Sequence, residues 1–282
     1  MVRLAVATRA ETFERLGATL PDRGIEVRHL RTSERTLSLS DPPWSPEGFD
    51  VGLVYPPRLM EGGVADALLG IPWVNDREAV LASRNKGEVI ARLSRAGLPV
   101  PETVVVSNPV PREELRAVFE RFDPPVVVKP NSTTRGAGVT LAADLDSFLG
   151  ICDYLGLVHD FPATDDKSFL VQEFLPDARD YRAMVVGGEY AGAVERSGEG
   201  WKHNVHAGAR ATGVALSDDL RDLAERSAAV LDVPFLGVDL LVSEGRAVVS
   251  ETNARPTVDA ATKYEPGFDD RLAALIRARA KG

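Results

Sequence analysis

Short apolar runs alternate with amphipathic stretches along the first part of the chain. Residues 4–8 read as a buried strand, 11–20 as a helix stopped by Pro21 and Gly24, and 25–30 as a second strand. A proline-rich loop at 41–46 is followed by an apolar strand at 50–55, broken by Pro56-Pro57. A short helix at 64–69 ends at Gly70, and 71–74 is a further strand. Strand–helix alternation with short links predicts a small parallel α/β sheet.

Residues 78–96 form one predicted helix, with Val80, Leu81, Val89, Ile90 and Leu93 at helical spacing and Gly97 beyond its end. Strands follow at 103–106 and 125–129, with a helix at 111–121 between them; residues 138–142 continue the sheet and 145–157 are helical. The last third is richer in strands, at 169–174, 181–186, 190–196, 236–242 and 246–251. Helices are predicted at 218–231, with Ser217 as N-cap, and at 271–280.

Composition narrows the function classes. The chain has 282 residues, 44% hydrophobic, enough for an enzyme-sized core. No apolar run approaches the roughly 20 residues of a membrane span, and the N-terminus reads as a buried strand, not a secretion signal. A single cysteine, Cys152, excludes an intrachain disulfide and is expected to be buried. With this usage a cytoplasmic location is expected. Net charge is −9, and no basic stripe with interleaved aromatics appears, which argues against nucleic acid. Only six of the 33 Lys and Arg residues are lysines. In so arginine-rich a chain a retained ammonium suggests phosphate binding, which draws attention to Lys86 and Lys129.

The strongest local geometry is near the C-terminus. Residues 236–242 and 247–253 flank a turn containing Gly245. A hairpin with a three-residue loop centred there sets Asp239 opposite Glu251, and strand alternation puts Asn253 on the face of Glu251. Two facing acids on otherwise apolar strands are unfavourable unless a cation lies between them, and hard oxygen donors suit magnesium. Lys129 ends a β-branched run, Val126-Val127-Val128, and is followed by a loop containing Gly136-Ala137-Gly138. Small residues there let backbone N–H groups close over phosphates, although neither a Walker A loop nor the dinucleotide fingerprint is present. Gln172-Glu173-Phe174-Leu175 ends an apolar strand that can offer its backbone to a purine. Asp180, Arg182 and Arg196 lie on neighbouring strands, where two guanidinium groups would stabilise developing negative charge. His203 and His206 lack further soft ligands, which weighs against zinc.

In this order, the pieces resemble the ATP-grasp superfamily, and most closely its RimK-like glutamate ligases. The resembling residues run from Asn75 through Ser83-Arg84-Asn85-Lys86, residues 97–103, Val128-Lys129-Pro130, Gly136-Ala137-Gly138 and Gln172-Glu173-Phe174-Leu175. They continue through Asp180-Tyr181-Arg182, Arg196, Asn204, Gly237-Val238-Asp239 and Glu251-Thr252-Asn253. The resemblance implies α/β and α+β architecture in three lobes: a parallel N-terminal lobe at 1–80, and lobes at 81–167 and 168–282 that hold ATP between them. It implies that Lys86 and Lys129 contact ATP phosphates beneath the 136–138 loop, and that the backbone at 172–175, with Asp180 nearby, binds the nucleoside. Asp239, Glu251 and Asn253 would hold two Mg2+ ions, replaceable by Mn2+, while Arg182, Arg196 and Asn204 serve the reaction. The implied activity is ATP-dependent joining of a carboxylate to an amine through an acyl phosphate, with an amino acid such as L-glutamate added to a small molecule, peptide or protein. A homo-oligomer is compatible with this.

Two segments depart from the family pattern. After Asn253 the chain reads Ala254-Arg255-Pro256-Thr257 where relatives usually carry Pro-Gly, and Lys202 stands where many have Arg. Arg255 and Lys263 in the rebuilt loop are expected to bind an anionic group of a substrate. The rival readings are a phosphotransferase on the same scaffold, a D-alanine or dipeptide ligase relative, and a nucleotide-binding module without chemistry.

Overall fold

The computed structural model describes residues 1–8, 11–133, 136–158, 166–198, 201 and 210–281. Their strands form three sheets, one parallel and two antiparallel. The apolar run of β1 (Val2–Val6) is central to the parallel sheet, between β2 (Ile25–His29) and β3 (Val51–Val54). Helices α1 (Glu11–Thr19) and α2 (Leu59–Leu69) belong to this part, and α2 begins five residues before the start expected at 64. The strand expected at 71–74 reduces to a single bridge between Trp73 and Gly52. Pro72, which has no N–H, limits further pairing there. A Cβ on Gly52 would fall 2.1 Å from the Trp73 ring, so only glycine admits that indole.

The single helix expected at 78–96 is two helices, α3 (Arg77–Arg84) and α4 (Lys86–Arg95). Asn85 separates them at φ −78° and ψ 87°, and its Oδ1 caps α4 by accepting the Glu88 N–H at 3.1 Å. The hydrophobic period runs through the break because both helices bury the same face. Next come β4 (Thr103–Ser107), α5 (Arg112–Phe119), β5 (Val126–Pro130), β6 (Thr140–Ala142), α6 (Leu145–Val158) and β7 (Ser168–Glu173). The four strands form an antiparallel sheet in the order β4-β7-β5-β6, and α5 and α6 close a core that includes Phe119, Phe148 and Phe169. Cys152 is buried in it, as expected, and burial pushes its thiol up to about 12.

The third sheet is antiparallel, in the order β10-β9-β8-β11-β12. Its strands are β8 (Arg179–Val186), β9 (Glu189–Ser197), β10 (Arg210–Val214), β11 (Phe235–Ser243) and β12 (Arg246–Asn253). Sequence reading missed β10, whose Arg-Ala-Thr-Gly-Val run buries neither face fully and so carries no alternation signal. Helix α7 (Asp218–Leu231) follows β10; Ser217 is at its N-cap position but its side chain makes no capping bond. α3, α4 and α7 cover one face of the sheet through Val80, Val89, Leu93, Ala224 and Leu231. α8 (Phe268–Lys281) starts three residues earlier than expected and packs on β1, β3 and β8. Its Phe268, Leu272 and Ile276 share one buried cluster with Leu4 and Leu53 of the first sheet and Met184 and Phe235 of the third.

Candidate active site

Strand register brings the charged residues together. Asp239 lies opposite Glu251 on β12, as expected, but by a different route. The loop has two residues, Glu244 and Gly245, at φ 51° and 80°, the conformation of a primed hairpin turn. A bulge between Asp239 and Leu240 then restores the expected pairing. On its other side Asp239 lies opposite Arg182 of β8, and Asp180, two residues along that strand, lies opposite Arg196 of β9. Period-two alternation therefore gathers Asp180, Arg182, Arg196, Asp239 and Glu251 on one face. Asn253 shares the alternation of Glu251, while Thr252 between them is buried with its hydroxyl 3.2 Å from that of Ser83.

These groups hold one another in ion pairs. Arg182 donates Nε and one Nη to the two oxygens of Asp239, both at 2.7 Å. Arg196 reaches Asp180 at 2.6 Å and Asp239 at 3.1 Å. Burial raises the Asp180 carboxyl, opposed by Arg196. For Asp239 burial acts the same way, but Arg182 and Arg196 outweigh it and hold the carboxyl down to about 2.

Two lysines face this array. Lys86, the first residue of α4, is 4% exposed and its ammonium lies 3.4 Å from Glu251. Lys129 of β5 is 6% exposed and donates to the Ser250 carbonyl at 3.4 Å. Burial lowers its ammonium to about 8, against the attraction of Glu251. Lys86, Lys129, Arg182 and Arg196 thus outnumber Asp180, Asp239 and Glu251 by one charge, an imbalance suited to an anionic ligand.

Between the second and third sheets lies a cleft of about 620 Å³, a size usual for small-molecule sites. Lys129, Gly136, Asp180, Arg196, Asp239 and Glu251 line its polar part, with Gln172, Glu173, Phe174 and Leu175 at the strand end. Val127, Val139 and Leu241 supply apolar wall. Gly138 has φ 76°, and a Cβ there would lie 2.8 Å from Pro130, so the loop folds back on that ring only with glycine. Within the loop the Ala137 carbonyl accepts the Thr133 hydroxyl at 2.8 Å.

The Gln172 and Glu173 side chains are committed elsewhere. Gln172 donates to Thr103 Oγ1 at 2.7 Å. Glu173 accepts the Glu102 N–H at 2.7 Å and two bonds from Arg246 at 2.7 and 2.8 Å. Arg246 was missed because a cation at a strand start carries no local signal. Trp201 also lines the cleft, edge-on to Phe174 at 6.1 Å between centroids.

The expected anion pair in the rebuilt loop is not assembled. Lys263 is 2.9 Å from Asp259, which also lies 3.4 Å from Arg15, and Arg255 Nε donates to the Tyr55 carbonyl. Neither Arg255 nor Lys263 lines the cleft. Asn204, Lys202, His203 and His206 lie outside the described residues. Among the described residues no three His, Cys, Asp or Glu side chains cluster as a metal site. The candidate set of two carboxylates and an amide nonetheless fits a hard divalent cation in donor type and register. The cations that hold the carboxylates are those a polyphosphate would draw toward itself. Among the described residues no helix is long and apolar enough to cross a membrane.

A family model described as a RimK-like ATP-grasp domain matches residues 83–274. A probable alpha-L-glutamate ligase of Maridesulfovibrio salexigens is 32% identical over 201 residues, covering 70% of this chain and 64% of that protein. The chain therefore spans just under two thirds of the length of such curated relatives. The fold is shared with a RimK domain ATP-grasp protein from Sphaerobacter thermophilus, at TM-score 0.73 and 22% identity over 98% of this chain and 99% of that one. It is also shared with an ATP complex of D-alanine–D-alanine ligase from Bacillus anthracis, at TM-score 0.71 and 14% identity over 99% and 97% of the two chains.

Proposed function

Since the chain belongs to the RimK-like ATP-grasp family, we propose that it is an ATP-dependent ligase joining a carboxylate to an amine through an acyl phosphate. The observation that carries this reading is an opposed acid pair, Asp239 and Glu251, lining one cleft between two sheets with the buried Lys129, while the buried Lys86 ammonium lies 3.4 Å from Glu251. In this reading the three lobes divide near residues 80 and 167, and ATP lies between the second and third.

Lys86 and Lys129 hold the phosphates, and the 136–138 loop lies over them. The main chain of residues 173–175 binds the adenine edge, and Asp180 lies on the nucleoside side. Asp239, Glu251 and Asn253 would hold two Mg2+ ions, which Mn2+ would replace; a bound divalent cation neutralises charge on the phosphoryl group in transfer.

A carboxylate oxygen of the first substrate attacks the γ-phosphorus, and the bond to ADP breaks. The amine nitrogen then attacks the acyl carbon, loses a proton, and phosphate leaves. Negative charge on the acyl oxygen in that second step falls to Arg182 and Arg196, and Asp180 and Asp239 fix the planes of both guanidinium groups before substrate arrives. In this reading Asn204 serves the phosphate or the acceptor side. Covering the phosphates excludes water, which would otherwise hydrolyse the acyl phosphate.

The amine is an amino acid, with L-glutamate first to be tried, and the acid belongs to a small molecule, peptide or protein. We place the reaction in the cytoplasm. Pairs of acids and amines screened for phosphate release test the reading. A ligase releases ADP and free phosphate only when both are present. Phosphate retained on a hydroxyl product, or ATP binding without turnover, would overturn it.

A further inference from the structure

The break between α3 and α4 coincides with a side chain that the ligase reading does not use. Asn131 follows the end of β5 and is 8% exposed. Its Oδ1 accepts the Gly87 N–H at 2.8 Å, and its Nδ2 donates to Asn85 Oδ1 and to Ser168 Oγ, both at 2.9 Å. Backbone donors settle the orientation of both amides: Gly87 N–H needs an oxygen on Asn131, and Glu88 N–H needs one on Asn85. The Asn131 carbonyl accepts the Lys86 N–H at 3.3 Å and lies 3.5 Å from the Lys86 ammonium. One residue just beyond β5 thus binds the three positions that start α4, Asn85, Lys86 and Gly87.

We propose that Asn131 is the positioning residue for Lys86, fixing the break at Asn85 so that the buried ammonium is held at the phosphate end of the cleft. This rests on the reading that the cleft binds ATP. A helix continuous from α3 into α4 would leave the Lys86 backbone to follow the regular helical rotation, and only the Glu251 carboxylate and the Thr133 carbonyl would direct its ammonium. The Asn85 cap and the Asn131 amide remove that freedom, and a charge held in place before ligand arrives costs less to order on binding. Gly87 is part of the arrangement, because a Cβ there would lie 3.1 Å from Val105 and 3.4 Å from Asn131 Oδ1.

Calorimetric titration with ATP and with inorganic tripolyphosphate tests the inference in four proteins: wild type, Asn131→Ala, Lys86→Met and the double variant. Tripolyphosphate reports the phosphate end alone. Asn131→Ala is expected to weaken both ligands about tenfold in the wild-type background, the scale of one charge-assisted hydrogen bond. In the Lys86→Met background it should weaken them less than about twofold, since there is no ammonium left to position. Asn131→Ser, neutral and still polar, serves where the alanine variant does not fold, and should show the same pattern. Equal losses in both backgrounds, or no loss in either, would overturn the positioning role. Wild-type protein that binds neither ligand would overturn the ATP reading and this inference with it. Wild-type binding without coupling to Lys86 would overturn this inference alone.

Discussion

Lys129→Met separates what the cleft costs the fold from what it gives the ligand. Lys129 is 6% exposed, and its ammonium makes one long bond, 3.4 Å, to a carbonyl. Burial lowers it from 10.5 to about 8. That difference corresponds to about 3 kcal/mol by which folding disfavours the charged form. The unfolded chain therefore holds the extra proton between about pH 8 and 10.5, so the wild-type protein gains stability as pH rises through that window. Methionine has similar length and no charge. The variant, free of nucleotide, should be the more stable protein at pH 7, by up to about 3 kcal/mol, or roughly 6–12 °C in thermal midpoint for a chain of this size. Its advantage should vanish by about pH 10.5. ATP affinity should fall roughly 10- to 150-fold with the loss of one charged hydrogen-bond donor to phosphate. Thermal melts at pH 7 and 10, with calorimetric titration of ATP, measure both effects. A variant less stable at pH 7, or with an unchanged Kd for ATP, would refute the reasoning.

Two further outcomes are expected. Arg3 hydrogen-bonds Asp50 at 2.5 to 3.0 Å and holds that carboxyl down to about 2, so its contribution to stability is present above about pH 4 and lost as pH falls toward 2. Asp50→Asn should flatten acid unfolding over that range, and an unchanged unfolding curve would count against the pair. Mn2+ followed by its electron paramagnetic resonance signal should stay free with nucleotide-free protein and bind once ADP is added, because Lys86 holds Glu251 while Arg182 and Arg196 hold Asp239. Equal Mn2+ binding with and without ADP would contradict that coupling.

The acid pair was legible because Asp239 and Glu251 interrupt apolar strands at a spacing that a hairpin brings into opposition, and a shorter turn plus a bulge still delivers it. Lys86 and Lys129 stood out against an arginine-rich background. The break at Asn85 was missed because the hydrophobic period runs on through it; Asn85 caps α4 through its own Oδ1, and the Asn131 amide that braces it is 46 residues away in the sequence. The Glu173–Arg246 pair was equally hidden, because it joins strands of two different sheets. In the loop after Asn253 the cations Arg255 and Lys263 suggested an anion site, but they meet a carbonyl and a carboxylate of the chain itself.

Helix α8 and the separate core beneath β4–β7 together have a mechanical consequence. The first and third sheets are fused through one oily seam that α8 fills, so parting them would wet buried apolar surface. The four-stranded sheet keeps its own core, so swinging it outward would wet less, chiefly Leu170, which is fully buried outside that core beside Gly87 of α4. What resists that swing is a handful of polar latches, among them Lys129 to Ser250 and Glu173 to Arg246, and water replaces such bonds cheaply. The ties that hold the four-stranded sheet to the rest of the molecule are thus more polar than the seam between the first and third sheets.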